Sequence, residues 1–267
     1  MEAVVRRRGR VRTRQDARAV RALDRGLLLL EALSEVRELP LSEVARRLHL
    51  PFSTTFRLLE TLRRRGFVAQ SSETGLYRLG IRAFEVGSTF LAQGQLHEVA
   101  HPVMDALVGE INETVNLAVL DKKEAVYIHR VESRLLVRKF TQLGARTPLY
   151  CTGVGKVLLA WRRPGEALAL LGQSPLEALT RNTLTDPTAL LRELSKVRVR
   201  GYAFDNEERE VGVRCVAAPV RDGKGQVVAA LSLSAPASRL PRARLGRIAE
   251  RVMAAADKIS AGLGWKP

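Results

Sequence analysis

One stretch of the sequence carries side chains that are suited to contacting DNA. Between Pro51 and Gly66, hydroxyl and arginine side chains recur every three or four residues, which places them on one face of a helix, opposite leucines. Such a face can enter the major groove and reach base edges and phosphates. The predicted contacts with double-stranded DNA, one of them on the preceding helix, are Ser42, Ser53, Thr54, Thr55, Arg57, Thr61, Arg64 and Arg65. The alternative is a helical hairpin whose polar face is only solvated.

A glycine-rich turn, TGVGK at residues 152–156, precedes another predicted helix. It is not a P-loop, because Tyr150 stands where the first glycine is needed and Val157 replaces the Ser or Thr that binds Mg²⁺. It is not a dinucleotide fingerprint either, since Leu158 occupies the third glycine position. Two alternatives stay open: a tight turn without a ligand, or a turn whose free backbone N–H groups bind a carboxylate or another anion.

Neither the cysteines nor the histidines form a catalytic or metal-binding pattern. Cys215 is flanked by apolar residues, which is typical of a core cysteine. His97 and His101 lie four residues apart on a predicted helix, but no third ligand of obvious placement follows, so a zinc site is not favoured. No Ser/His/Asp set can be assembled. We therefore predict no catalytic residue, no metal and no cofactor, and a protein that is not an enzyme.

The elements that would position the DNA-contacting side chains are three helices and a hairpin. A first helix from residue 19 carries the apolar stripe Val20, Leu23, Leu27, Leu30 and Leu33. A second covers 41–50, with Ser42 or the residue before it as its cap, and a third ends at Gly66 with Phe56, Leu58, Leu59 and Leu62 buried. Short strands follow at 67–70 and 76–79. This order predicts a winged helix-turn-helix.

The rest of the chain predicts a linker helix and an α+β domain with an antiparallel sheet. Apolar residues on the linker would be exposed in a monomer, so we expect a subunit contact there: Ile81, Phe84, Val86, Phe90 and Leu91. Beyond it we predict helices at 97–112, after the glycine-rich turn, at 188–200 and at 242–263, and strands at 114–120, 125–131, 135–140, 214–219 and 227–234. The predicted partition is a basic disordered arm at 1–18, a DNA-binding domain at 19–79, a linker at 80–96 and a second domain at 97–267.

Composition agrees with a nucleic-acid partner without establishing it. The formal net charge is +16, and residues 1–78 hold 17 of the 44 basic residues against 9 of the 28 acidic ones. A basic surface gains affinity for DNA by releasing counterions, although a high-GC genome, which favours Arg over Lys, would also produce such a charge. No apolar run approaches the length of a membrane span, and no secretory signal is expected. Two cysteines suit a reducing compartment, so we predict a cytoplasmic protein without a membrane partner.

Several stretches together resemble one family of bacterial regulators. They are RALDRGLLLLEAL, LSEVARRLHLPFSTTFRLLETLRRRGFV, ETVNLAVLD, LYCTGVGKVLLA, RGYAFDNEEREVGVRCVAAPVRD and VVAALSLSAP. In that order, from residue 19 to 263, the chain is similar to the IclR family. The resemblance implies a winged helix-turn-helix, a linker helix and a GAF-like effector domain, assembled as homodimers that often pair into tetramers. It also implies control of operons, commonly catabolic ones, in response to small organic acids.

The resemblance also implies an effector pocket with named residues. In the family a glycine-rich turn, an acidic residue, a cysteine and two serines line the pocket, beside an apolar wall. These roles fall here on Gly153, Val154, Asp205, Val213, Cys215, Ser232 and Ser234. The predicted function is therefore a sequence-specific regulator, a repressor rather than an activator, modulated by a carboxylic or aromatic acid. The alternatives are a non-specific architectural DNA-binding protein and an enzyme that uses Cys215.

Overall fold

The computed structural model describes residues 20–92, 95–172 and 175–266, and the predicted basic arm at 1–18 lies outside these ranges. Within them, no helix has the length and apolar content needed to span a membrane. The chain divides into two compact units between Phe90 and Leu91. The division falls inside the helix that the sequence predicts as a linker.

The N-terminal unit is a winged helix-turn-helix, as predicted. Its helices are α1 (Arg21–Ser34), α2 (Leu41–Leu48), α3 (Phe52–Arg64) and α4 (Ile81–Ala92), and its strands are β1 (Val68–Gln70) and β2 (Tyr77–Leu79). The two strands are antiparallel, and Leu39 adds one bridge to Tyr77. Gly66 follows α3 with φ +77°, a left-handed conformation that glycine adopts without steric cost.

Three details of the N-terminal unit differ from the prediction. The buried side of α1 is formed by Gly26, Leu29 and Leu33, whereas Val20, Leu23 and Leu27 are exposed. Phe56 on α3 is also exposed, and Thr55 takes its place in the core beside Leu59. Helix α2 begins at Leu41 after Pro40, and no side chain caps it, so Ser42 is not a cap. Apolar periodicity alone does not distinguish a core face from a face left for another molecule.

The C-terminal unit is α+β, as predicted. Its elements are α5 (Gln95–Ile111), β3 (Thr114–Asp121), β4 (Glu124–Val131), β5 (Arg146–Pro148), α6 (Gly153–Ala160), α7 (Pro164–Leu171), α8 (Pro187–Arg200), β6 (Ala203–Asn206), β7 (Val213–Arg221), β8 (Val227–Pro236) and α9 (Leu245–Gly262). The strands form one antiparallel sheet in the order β5-β4-β3-β8-β7-β6. One core lies between the sheet and α5 with α9, and a second lies between the opposite face and α6 with α8.

The strand predicted at 135–140 is wrong. That segment is a loop in which Leu136, Val137 and Phe140 are exposed, and the edge strand that pairs with β4 is β5 instead. The sequence prediction also missed β6 and α7. The likeness to GAF domains stays a prediction.

Candidate functional site

The predicted DNA-contacting face lies on α3, and most of its members are accessible. Ser53, Arg57, Thr61, Arg64 and Arg65 are exposed, as is Ser42 on α2, and Thr54 is half-buried. Thr54, Arg57 and Thr61 also border a groove between α3 and α1, together with Leu23 and Leu27 of α1. The structure therefore places seven of the eight predicted residues where a duplex could reach them.

Thr55 is the exception, and its prediction as a DNA contact is wrong. Its side chain is completely buried, and its Oγ1 donates a hydrogen bond to the carbonyl oxygen of Pro51 at 3.1 Å. A hydroxyl at this position satisfies its hydrogen bond inside the helix itself. Thr55 thus belongs to the core that holds α3 in place.

The arginines of α3 and Arg65, which follows it, differ in whether their guanidinium groups form ion pairs. Arg63 and Arg64 share the carboxylate of Glu60, at 2.8 Å and 3.0 Å. Arg57 and Arg65 form no ion pair among the described residues, so their guanidinium groups are available to phosphates or bases. Two exposed aromatic side chains, Phe52 and Phe56, flank this face, and the sequence prediction missed both as candidate contacts.

The second site begins with a row of side chains across three strands. Asp205 on β6 pairs with Cys215 on β7, which pairs with Ser234 on β8. Cross-strand partners point to the same face of a sheet, and Ser232 joins them two residues along β8. Asn116 on β3 donates a hydrogen bond from Nδ2 to Ser234 Oγ at 3.3 Å, which orients that hydroxyl.

The glycine-rich segment at 152–156 does not form a turn ahead of a helix as predicted, because α6 already begins at Gly153, and this first part of α6 packs directly onto the row. Thr152 caps α6 by accepting a hydrogen bond at Oγ1 from the Gly155 backbone N–H at 3.1 Å. A Cβ on Gly155 would lie 2.3 Å from the carbonyl oxygen of Leu149, and one on Gly153 would lie 3.2 Å from the Ala217 Cβ. Glycine is required at 155, where a Cβ would overlap the backbone of Leu149, whereas at 153 a Cβ would only displace the Ala217 side chain slightly. As a result, the positive N-terminal end of α6 faces the strands that carry Asp205 and Cys215.

A cavity of about 330 Å³ lies between the start of α6 and the strands. All seven residues predicted for an effector line it: Gly153, Val154, Asp205, Val213, Cys215, Ser232 and Ser234. The sequence prediction missed the other 11 of the 18 lining residues, among them Tyr127, Lys139, Phe140, Thr147, Arg209 and Glu210. These residues come from β4, from β5 and from irregular segments, where no periodic pattern marks them.

The charges at the cavity are arranged unevenly. Lys139 forms an ion pair with Glu210 across the cavity, and Arg146 pairs with Asp121. Arg209 forms no ion pair among the described residues and is exposed. Burial raises the pKa of the Asp205 carboxyl to about 7, against the lowering effect of two backbone N–H groups and Lys156. Near neutral pH the Asp205 carboxyl is therefore divided between a charged and a neutral form, and the neutral form places no negative charge in the cavity.

Cys215 is not set up as a nucleophile. Burial, together with the nearby Asp205, raises the pKa of its thiol to about 12, so the thiol keeps its proton at neutral pH. None of the four histidines lies among the residues that line the cavity. The cavity therefore holds no cysteine thiolate, and its hydroxyls, backbone N–H groups and charged side chains can bind a small polar molecule.

A winged helix-turn-helix joined to a unit with a polar cavity defines a class, the DNA-binding regulators that carry their own ligand-binding domain. The IclR helix-turn-helix domain matches residues 22–72, and the bacterial transcriptional regulator IclR C-terminal domain matches residues 88–261. The chain belongs to the IclR family and is a DNA-binding transcription regulator.

Individual relatives support the same assignment. The HTH-type transcriptional regulator BhcR of Paracoccus denitrificans is 39% identical over 98% of this chain and 96% of its own length. The transcriptional repressor IclR of Escherichia coli is 39% identical over 92% and 90%. An IclR homologue from Microbacterium hydrocarbonoxydans, solved in complex with 4-hydroxybenzoate, has a TM-score of 0.80 and 28% identity, covering 91% of this chain and 98% of that one. Because the family and these relatives regulate transcription, the prediction that the chain is not an enzyme is confirmed.

Proposed function

We propose that the chain is a sequence-specific repressor whose affinity for its operator changes when a small carboxylic or aromatic acid binds in the C-terminal cavity. One observation carries the proposal: residues from five strands, from the start of α6 and from irregular segments line a single cavity of about 330 Å³. Relatives named as repressors, and a homologue solved with an aromatic acid, support the direction and the ligand class.

The lining explains why an acid suits the cavity. The backbone N–H groups at the start of α6 and the hydroxyls of Ser232 and Ser234 can donate hydrogen bonds to a carboxylate. Arg209 supplies a positive charge, and a protonated Asp205 donates a hydrogen bond instead of repelling the ligand. Val154, Val213 and Phe140 provide apolar surface for the remainder of the molecule.

Operator recognition in this proposal needs two copies of the chain. Helix α4 exposes Ile81, Phe84 and Val86, with 70%, 70% and 51% of their surfaces accessible. Exposed apolar side chains clustered on one helix favour a subunit contact. A homodimer, with tetramers formed from it, would present two copies of α3 to a palindromic operator, and effector binding would favour one arrangement of the two linker helices.

The test is selection of binding sites from random duplex DNA with the full-length protein, followed by binding assays with a panel of carboxylic and aromatic acids. We expect the selection to recover a short palindromic motif. We also expect at least one acid of the panel to change the affinity of the protein for this motif at least fivefold. The variant Ser234→Ala should weaken the response to the acid and leave affinity without the acid unchanged. Equal affinity for all sequences would instead support architectural DNA binding, and no response across the panel would contradict the effector role.

Sedimentation measures the assembly independently. The wild type is expected to sediment as a dimer or tetramer, and Phe84→Glu is expected to shift it towards the monomer. A variant on an exposed polar position of the same helix, Arg82→Glu, is the matched control. Unchanged mass for Phe84→Glu would show that α4 is not the contact.

A further inference from the structure

Three of the four histidines of the chain converge in the C-terminal unit. His97 and His101 lie one turn apart near the start of α5, and His129 lies on β4. The centre of the His129 ring is 4.3 Å from that of His97 and 5.2 Å from that of His101, and the two rings of α5 are 6.1 Å apart. The cluster is not part of the effector cavity.

The polar atoms of the cluster are only partly satisfied. His101 Nδ1 and His129 Nε2 are 3.0 Å apart, so one of them donates a hydrogen bond to the other. His97 Nδ1 is buried and has no hydrogen-bond partner among the described residues. A buried nitrogen without a partner costs free energy, and a ligand that binds it would recover that cost.

We propose that His97, His101 and His129 together bind a divalent transition-metal ion of the zinc type. Two nitrogen ligands at about 2.0–2.1 Å from a tetrahedral ion are about 3.3 Å apart, close to the separation of His101 Nδ1 and His129 Nε2. Histidines four residues apart on a helix share one face and can bind the same ion. The structure supplies the third ligand, on β4, that the sequence did not reveal.

Binding requires one adjustment. No group of three His, Cys, Asp or Glu side chains among the described residues is arranged to hold a metal ion, so the imidazole rings of the cluster have to reorient before all three can bind one. His101 is exposed, which gives the ion a route from solvent and leaves the fourth position to water. Borderline ions such as Zn²⁺ suit imidazole, whereas Mg²⁺ and Ca²⁺ prefer oxygen ligands.

The ion would fasten the start of α5 to the sheet. Pro102 lies inside α5 and lacks the N–H that would bond to the carbonyl of Glu98, so this part of the helix has one backbone hydrogen bond fewer than a regular helix. An ion shared by α5 and β4 would hold the same segment from the side. Metal binding to the folded state alone raises the thermal stability of the protein.

The experiment uses full-length, metal-free protein and measures Zn²⁺ affinity by calorimetry, with Co²⁺ as a spectroscopic probe. We expect one ion per chain, a Co²⁺ spectrum of four-coordinate nitrogen and oxygen ligation without a thiolate band, and a higher Tm with Zn²⁺. His101→Asn and His129→Asn should each weaken Zn²⁺ binding at least tenfold and abolish the Tm increase. His101 is exposed, so its variant tests the site even if His129→Asn disturbs folding.

His49→Asn is the matched control, because it removes the fourth histidine, in the N-terminal unit. His49 has φ +51°, a conformation that Asn tolerates better than most residues. The Zn²⁺ affinity of the His49→Asn protein should equal that of the wild type. Equal affinity in all four proteins, a thiolate band with Co²⁺, or no binding tighter than about 100 μM would overturn the proposal. These measurements involve neither DNA nor effector, so their outcome is independent of whether the proposed function is correct.

Discussion

Lys156 Nζ lies 2.6 Å from Glu208 Oε1, and both side chains are almost completely buried. The same ammonium donates a hydrogen bond to the carbonyl oxygen of Phe204 at 2.5 Å, and the backbone N–H of Glu208 donates one to Asp205 Oδ1 at 2.8 Å. The pair therefore joins α6, which includes most of the glycine-rich segment, to the residues just after β6, the strand that carries Asp205. Both walls of the cavity depend on it.

Lys156→Met is expected to lower the free energy of unfolding by about 3 kcal/mol, because it leaves Glu208 charged and buried without its partner. Urea denaturation measures the change. Adding Glu208→Gln should restore part of the loss, since the uncompensated charge is then removed. Lys196→Met, at an exposed position on α8, is the control and should change stability little. If Lys156→Met and Lys196→Met lowered the free energy of unfolding by similar amounts, the structural role of the ion pair would be contradicted.

Asp205→Asn should flatten the pH dependence of stability. With a pKa raised from 3.8 to about 7, Asp205 binds a proton between these values in the folded state but not in the unfolded state. Its contribution is therefore full below pH 3.8 and is lost as the pH rises to about 7. Between pH 5 and pH 7.5 the wild type should lose on the order of 2 kcal/mol relative to the variant. Parallel stability profiles would show that the carboxyl titrates normally.

Gly155→Ala should destabilise the protein by at least about 2 kcal/mol, because the new Cβ would collide with the backbone of Leu149. Thermal and urea unfolding provide the measurement. Gly165→Ala on α7 is the matched control: a Cβ there meets nothing within 4 Å, and alanine favours the helix by about 0.5–1 kcal/mol. A Gly155→Ala protein as stable as the wild type would mean that α6 can move away from the backbone of Leu149.

Arg57→Ala should weaken operator binding by about 1–3 kcal/mol if the guanidinium reads a base, and should relax sequence preference at that position. If Arg57 contacts a phosphate instead, the protein should lose the same affinity for every DNA sequence. The slope of the logarithm of the binding constant against the logarithm of salt concentration should also become smaller by about one. Competition binding at two salt concentrations separates the outcomes. Arg162→Ala, exposed in the C-terminal unit, is the control. Unchanged binding by Arg57→Ala would remove this residue from the interface.

The sequence predicts the helices and strands correctly where the spacing of apolar residues and the glycine and turn residues indicate the same element. Gly66 marked the end of α3, and the hairpin of β1 and β2 followed from alternating residues around a turn. Apolar spacing predicts that Leu23 and Leu27 of α1 are buried, and both are exposed, because spacing alone does not separate them from the leucines of the core. Thr55 was assigned to the polar face because its hydroxyl gave no sign that it bonds to its own helix.

The cavity was predictable only in part. Its seven predicted residues came from the resemblance, since Asp205, Cys215 and Ser234 lie far apart in sequence and meet only through strand pairing. Arg209 and Lys139 were missed because they lie on irregular segments. The strand predicted at 135–140 failed because apolar residues there suggested a β-strand, while pairing with β4 is made by β5.

The central pairing of the sheet joins β3 to β8, where Thr114 lies opposite Ser234. These partners are separated by most of the C-terminal unit, so the pairing has to close a very long loop. On the ribosome, β8 emerges only after nearly the whole chain has been synthesised, whereas the N-terminal unit is built from neighbouring segments and can fold early. A nascent or truncated chain that ends before β8 would thus hold the winged helix-turn-helix unit without Ser232 and Ser234, two residues that line the cavity.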